Sequence, residues 1–152
     1  MTESKKISRV SEREFAEIIA QEIPVAKAAG LVVRRMRYGE CVCALPFDPT
    51  HLRPGGTVSG PAMMMVADVV MFGVVLSVLG PVKQAVTTNF NINFLRRPGP
   101  EALVVEGDAI KIGKRLAVLE VTLFSENDHD PVAHATGTYS IPTATPAPPS
   151  PS

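Results

Sequence analysis

The sequence predicts an α+β domain in which one antiparallel sheet of about six strands wraps a long, central, apolar helix. Three observations carry this prediction. The run from Pro61 to Leu79 is almost wholly apolar and carries one charge, Asp68. Stretches with β-strand character stand on both sides of it, separated by clusters of Gly, Pro, Asn and Asp. The length, 152 residues, is enough for one core without disulfides or a structural metal. A single wrapped sheet leaves its helix flank uncovered, so the same reasoning predicts a homodimer or homotetramer built on two-fold axes.

The elements follow in order. Residues 1–10 are polar and charged and are expected to be a flexible N-terminus. Ser11 and Glu14 have capping-box spacing, and Phe15, Ile18, Ile19 and Ile23 recur at helical intervals, which predicts an amphipathic helix broken near Pro24. Leu31 to Arg37 and Cys41 to Leu45 read as a hairpin turning at Tyr38-Gly39-Glu40. From Phe47 to Gly60 the chain is rich in Pro and Gly, a loop that gives backbone close access to a ligand. Ser59 or Gly60 then caps the apolar helix, Pro61 suits its first turn and Gly80-Pro81 closes it. Ala85 to Leu95, Ala102 to Ile112, Leu116 to Phe124 and Val132 to Ile141 are strands, expected in a meander. The domain spans 11–141; residues 142–152, rich in Pro, Ala, Thr and Ser, are expected to be a disordered tail.

Composition excludes several classes. The 15 basic and 15 acidic side chains cancel, so no global field favours nucleic acid. A membrane span is unfavourable because Asp68 falls inside the apolar run and no basic cluster flanks it. The N-terminus lacks the apolar core of a secretory signal, and Cys41 and Cys43, two apart on one strand, suit reduced, buried thiols; both predict a cytoplasmic protein. His51, His129 and His134 are scattered, so neither a metal nor a cofactor is expected.

The pattern Arg53-x-x-Gly56-x-x-Ser59-Gly60-Pro61, with Asp68 nine residues after Ser59, resembles the PaaI-like, phenylacetate-pathway branch of the hot-dog thioesterases. Their signature reads Asn-x-x-Gly-x-x-His-Gly-Gly, followed by Asp at the same distance. The resemblance extends through Val86-Thr-Thr-Asn-Phe-Asn-Ile-Asn-Phe-Leu and the Gly113-Lys114-Arg115 turn. It departs at Arg53, Ser59 and Pro61, which stand for Asn, His and the second Gly.

The resemblance implies hydrolysis of an acyl-CoA, with coenzyme A present only as part of the substrate. It makes Asp68 the base or nucleophile and the Gly60 N–H the donor to the developing oxyanion, a role suited to a helix N-terminus. Ser59 matches a residue that orients the thioester, and Thr87 one that positions the attacking water. Arg53 and Gly56 match the substrate-binding loop. The basic turn residues Arg96, Arg97, Lys114 and Arg115 are candidates for the coenzyme A phosphates. Met63, Met64, Met65 and Met71 are candidates for an adaptable acyl tunnel, although core packing is the safer reading for most of them. Burial disfavours a charged carboxylate unless it is paired, and residues 66–70 offer Asp68 no cation, which marks it as a functional candidate. A non-catalytic acyl-CoA or lipid-binding protein is the alternative. A hydratase ranks last, for lack of a His between Gly60 and Gly80.

Overall fold

Ser11 opens the first helix as its spacing predicts. Its hydroxyl accepts the Glu14 N–H at 3.1 Å and the Glu14 carboxylate accepts the Ser11 N–H at 3.3 Å, so two orphan donors are satisfied reciprocally. Helix α1 runs Glu12–Glu22 and α2 Pro24–Ala28; the break falls at Ile23 because the Pro24 ring cannot continue the ladder. The computed structural model describes residues 6–53 and 55–142, so residues 1–5 and the tail from 143 onward lie outside it. Two residues of the expected N-terminal extension are fastened to the domain: the Arg9 N–H donates to the Ser77 carbonyl at 2.9 Å, and Val10 is fully buried.

Strands β1 (Val32–Arg37) and β2 (Glu40–Leu45) form the predicted hairpin, with Gly39 at φ 81° in the turn. After the 3-10 turn Pro49–His51 comes helix α3, Gly60–Leu79, followed by β3 (Val86–Phe94), β4 (Leu103–Ile112), β5 (Leu116–Ser125) and β6 (Pro131–Ser140). The strands form one antiparallel sheet in the order β1-β2-β4-β5-β6-β3. The meander expected of the last four strands therefore holds for β4, β5 and β6 only. One side of β4 is taken by β2, from Glu40 opposite Asp108 to Leu45 opposite Leu103, so β3 pairs with β6 at the far edge.

Helix α3 is long and apolar enough to cross a bilayer, but here the sheet wraps it and buries Val66, Val70, Val74, Val75 and Leu76 completely. Leu103, Val105, Leu119, Val121 and Leu123 line the concave side of the sheet at alternate positions. Helix and sheet approach closely at two strand glycines. A Cβ on Gly107 would stand 2.6 Å from Val70 Cγ1, and one on Gly137 2.6 Å from Met71 Sδ. Cys41 and Cys43 are buried free thiols 3.8 Å apart, and the Cys43 hydrogen bond and burial push the Cys41 thiol up. The wrapped-helix architecture predicted from the sequence is the one observed.

Candidate active site

Asp68 sits partway along α3, half-buried, between buried Ala67 and Val69. The sheet supplies its partners. Thr87 on β3 and Tyr139 on β6 are a cross-strand pair, which places two hydroxyls side by side. The ladder shifts register between Thr87 and Asn89, an irregularity of the kind that re-aims a side chain. Thr87 Oγ1 donates to Asp68 Oδ1 at 2.8 Å, and the Tyr139 hydroxyl reaches the same oxygen at 2.8 Å. That hydroxyl also lies 2.9 Å from the Asp68 backbone carbonyl. The Tyr139 ring stacks on Phe72, with centroids 6.3 Å apart and planes 19° apart. Burial first, and then the Asp68 carboxylate, push the Tyr139 hydroxyl well above the usual phenol range, so it remains a proton donor. Among the described residues Asp68 makes no ion pair.

Two cavities meet at Asp68 and Thr87. One, of about 510 Å³, is walled by Pro61, Met64, Met65 and Phe90. The other, of about 310 Å³, is walled by Ile23, Val69, Phe72 and Val86 and bounded by Glu22 and Lys83, which pair at 3.1 Å. Apolar walls around a few convergent polar groups suit a ligand with an apolar body and one reacting polar centre. Met64 is 41% exposed and Met65 half-buried, so both face the larger cavity, whereas Met63 and Met71 are core residues.

The start of α3 is the second part of the site. Of its first N–H groups, Ala62 donates to Ser59 Oγ at 3.2 Å and Met63 to the Ser59 carbonyl at 3.1 Å, while Pro61 has none. The Gly60 N–H is left without a partner among the described residues. Ser59 is thus the N-cap, its oxygen committed to Ala62 and its hydroxyl proton still available. A cavity of about 450 Å³ opens beside Gly60 and brings Arg53, Arg96 and Arg97 together over Met63 and Phe94. Arg96 pairs with Asp130 at 2.9 Å and Asp128 at 3.6 Å; Arg53 and Arg97 make no ion pair among the described residues. Gly56, at φ 80°, turns the loop back so that its N–H meets the Arg53 carbonyl at 3.0 Å.

The structure therefore groups the expected residues into two places. Asp68, Thr87 and Met64 lie together, and Gly60, Ser59, Arg53, Gly56 and Arg96 lie at or near the helix start. Eight residues of helix put about 12 Å between Gly60 and Asp68. Lys114 and Arg115 are exposed in the β4–β5 turn and line none of these three cavities. Tyr139 carries no role in the sequence reading. Its one signal is a hydroxyl on the strand face otherwise formed by Ala133, Ala135 and Gly137, all buried. Among the described residues no cluster of His, Cys, Asp and Glu could hold a metal.

Residues 55–132 match the thioesterase superfamily, a span that includes Gly60, Asp68 and Thr87. A solved structure from a Silicibacter species, described as a thioesterase, is 36% identical, covers 89% of this chain and 94% of its own, and superposes with a TM-score of 0.78. The phenylacetic acid degradation protein PaaI of Thermus thermophilus is 27% identical over 78% of this chain and 99% of its own, with a TM-score of 0.70. A Thermoplasma acidophilum protein described by name as an esterase is 28% identical over 103 residues, 68% of this chain and 76% of that protein. With a wrapped helix bearing a hydroxyl-held carboxylate, and a family match over half its length, this chain belongs to the thioesterase superfamily as a PaaI-like hot-dog thioester hydrolase.

Proposed function

We propose that the protein hydrolyses an aryl- or medium-chain acyl-CoA to the free acid and coenzyme A, with Asp68 as base or nucleophile and the Gly60 N–H as oxyanion donor. The observation that carries this reading is the Asp68 carboxylate, held by two hydroxyls where two apolar-walled cavities meet. Acyl groups suit those walls, and an acyl chain held in either cavity would bring its carbonyl carbon to the carboxylate, which lines both. Ser59 supplies a hydroxyl proton beside Gly60, and Thr87 helps hold the carboxylate that directs the water.

The two parts of the site belong to different subunits. About 12 Å of helix is too long for one carbonyl group to touch both Asp68 and the Gly60 N–H of its own chain. Strand β3 is an edge strand carrying no charge and no proline, and Val86 and Phe94 are exposed on it. Antiparallel pairing of two β3 strands about a two-fold axis sets the Phe94 end of one copy beside the Thr87 end of the other. That brings Gly60 of the partner subunit toward Asp68. A homodimer, or a tetramer of two such dimers, is the working unit. Arg53 from the loop before α3, which Gly56 turns, and Arg96 and Arg97 from the loop after β3 then flank the entrance and bind the coenzyme A phosphates, with Lys114 and Arg115 as outlying charges. No further cofactor takes part, and the reaction is placed in the cytoplasm.

The test is thiol release from a panel of aryl and straight-chain acyl-CoAs by the wild type and by Asp68→Asn. General acid–base catalysis contributes about 10²–10⁴-fold, so the variant is expected to lose activity on that order. Equal rates would remove Asp68 from the mechanism, and tight binding without turnover by the wild type would favour an acyl-CoA-binding protein. Label found in Asp68 after a single turnover in ¹⁸O-water establishes the nucleophilic route, because water opening the anhydride at the aspartyl carbon leaves its oxygen on the carboxylate, whereas the base route puts label in the product acid alone.

A further inference from the structure

We infer that Tyr139 is a positioning residue which, with Thr87, holds Oδ1 of Asp68 and leaves Oδ2 as the oxygen that works on the thioester. The inference rests on the proposed role of Asp68. It goes beyond that role in assigning a residue from the last strand and in distinguishing the two carboxylate oxygens.

Both hydroxyls reach Oδ1 at 2.8 Å, and no hydrogen bond from a described residue reaches Oδ2. A carboxylate oxygen accepts about two hydrogen bonds, so Oδ1 is filled by Thr87 and Tyr139. The terminal torsion of an aspartate is otherwise broad, and two donors on one oxygen narrow it. Tyr139 is only 4% exposed, its ring is clamped on Phe72, and its hydroxyl also touches the Asp68 backbone carbonyl. Its one proton is shared between Oδ1 and that carbonyl in a three-centre bond, which ties Tyr139 to the helix as well as to the side chain. Thr87, by contrast, is exposed on the edge strand and holds the oxygen from the cavity side.

A phenol suits this position chemically. A neutral donor orients the carboxylate without cancelling its charge, as a guanidinium or ammonium would, and burial keeps its proton in place. In the base route, Oδ2 takes a proton from water as the water oxygen bonds to the thioester carbon. The tetrahedral adduct then collapses, the carbon–sulfur bond breaks, and the proton held on Oδ2 passes to the departing sulfur. The products are one carboxylic acid and one thiol, and Oδ1 keeps both hydroxyl bonds throughout.

The test is Tyr139→Phe, which keeps the ring and its stack on Phe72, compared with Asp68→Asn and the double variant. Small misplacements of a reacting group cost up to about 10²-fold in rate, so kcat is expected to fall about 10- to 100-fold with KM within about twofold. In the Asp68→Asn background the same change is expected to have no further effect, because there is no longer a working carboxylate to position. Unchanged kcat in Tyr139→Phe, alongside an inactive Asp68→Asn, overturns the positioning role and leaves the Asp68 reading standing. A loss of equal size in the Asp68→Asn background, or one confined to KM, overturns it as well. Full activity of Asp68→Asn itself rejects both.

Discussion

Strands β1 and β3 are both edges of the sheet, but they are finished differently. Strand β1 carries Arg34, Arg35 and Arg37, shifts register between Val33 and Arg35, and has the Glu12 carboxylate accepting its Met36 N–H at 3.1 Å. Arg34 pairs with Glu126 at 2.8 Å and Arg35 with Glu40 at 2.7 Å. Charge, irregularity and a covering helix are the means by which sheets avoid adding foreign strands. Strand β3 shares only the irregularity, a register shift between Thr87 and Asn89, and lacks the charges and the covering helix: its nine residues from Val86 to Phe94 carry no charge and no proline, and all are exposed apart from the half-buried Phe90 and Ile92. One edge is therefore sealed and the other is left to pair. The edge left to pair is also the one that carries Thr87, so the proposed assembly and the proposed chemistry share a strand.

The largest effect is expected from charging the open edge. Asn91→Lys with Asn93→Lys sets like charges against each other across the two-fold axis and should halve the mass seen by sedimentation. Because each Asp68 then loses the partner's oxyanion donor, kcat/KM should fall at least about 10²-fold. A monomer with full activity would break the link between edge and site. Thr87→Val, which keeps the strand and removes the hydroxyl, should leave the mass unchanged and lower kcat about tenfold, a loss of about 1.4 kcal/mol in transition-state stabilisation. An unchanged kcat would leave Thr87 as a strand former alone. The smallest effect is expected on the sealed edge: Val32→Lys, at a position already 49% exposed, should change stability by no more than about 0.5 kcal/mol and leave both mass and kcat as they are. Chemical denaturation and sedimentation check it together.

Much of the fold was legible because its signals are local. Ser11 with Glu14, Gly39 in the hairpin turn, Ser59 ahead of Pro61 and the apolar run of α3 each state their own conformation. Strand order was not legible. Whether β3 lies beside β4 or β6 depends on β2 occupying one side of β4, and no periodicity within β3 records that. The site divided in the same way. Asp68 stood out as a lone carboxylate in an apolar helix, and Gly60 through its place in the Arg53-x-x-Gly56-x-x-Ser59-Gly60-Pro61 pattern. Tyr139 did not stand out, because its meaning depends on the register that sets it opposite Thr87 and on the helix phase that brings Asp68 over both. A tyrosine in a strand is ordinary until its neighbours across the ladder are known.

The glycines at 107 and 137 act as notches into which the helix drops. Val70 Cγ1 and Val74 Cγ2 fall 2.6 and 3.0 Å from where a Gly107 Cβ would lie, and Met71 Sδ 2.6 Å from one on Gly137. A helix seated in two notches can neither roll about its axis nor slide along it without lifting off the sheet. Asp68, two residues before Val70 and three before Met71, inherits that alignment. The aim of the carboxylate is therefore machined partly into the backbone of β4: a methyl group at Gly107 would press on Val70 and Val74, short and stiff side chains of the helix, and so reach the carboxylate from a distance, whereas at Gly137 the flexible end of Met71 can yield first.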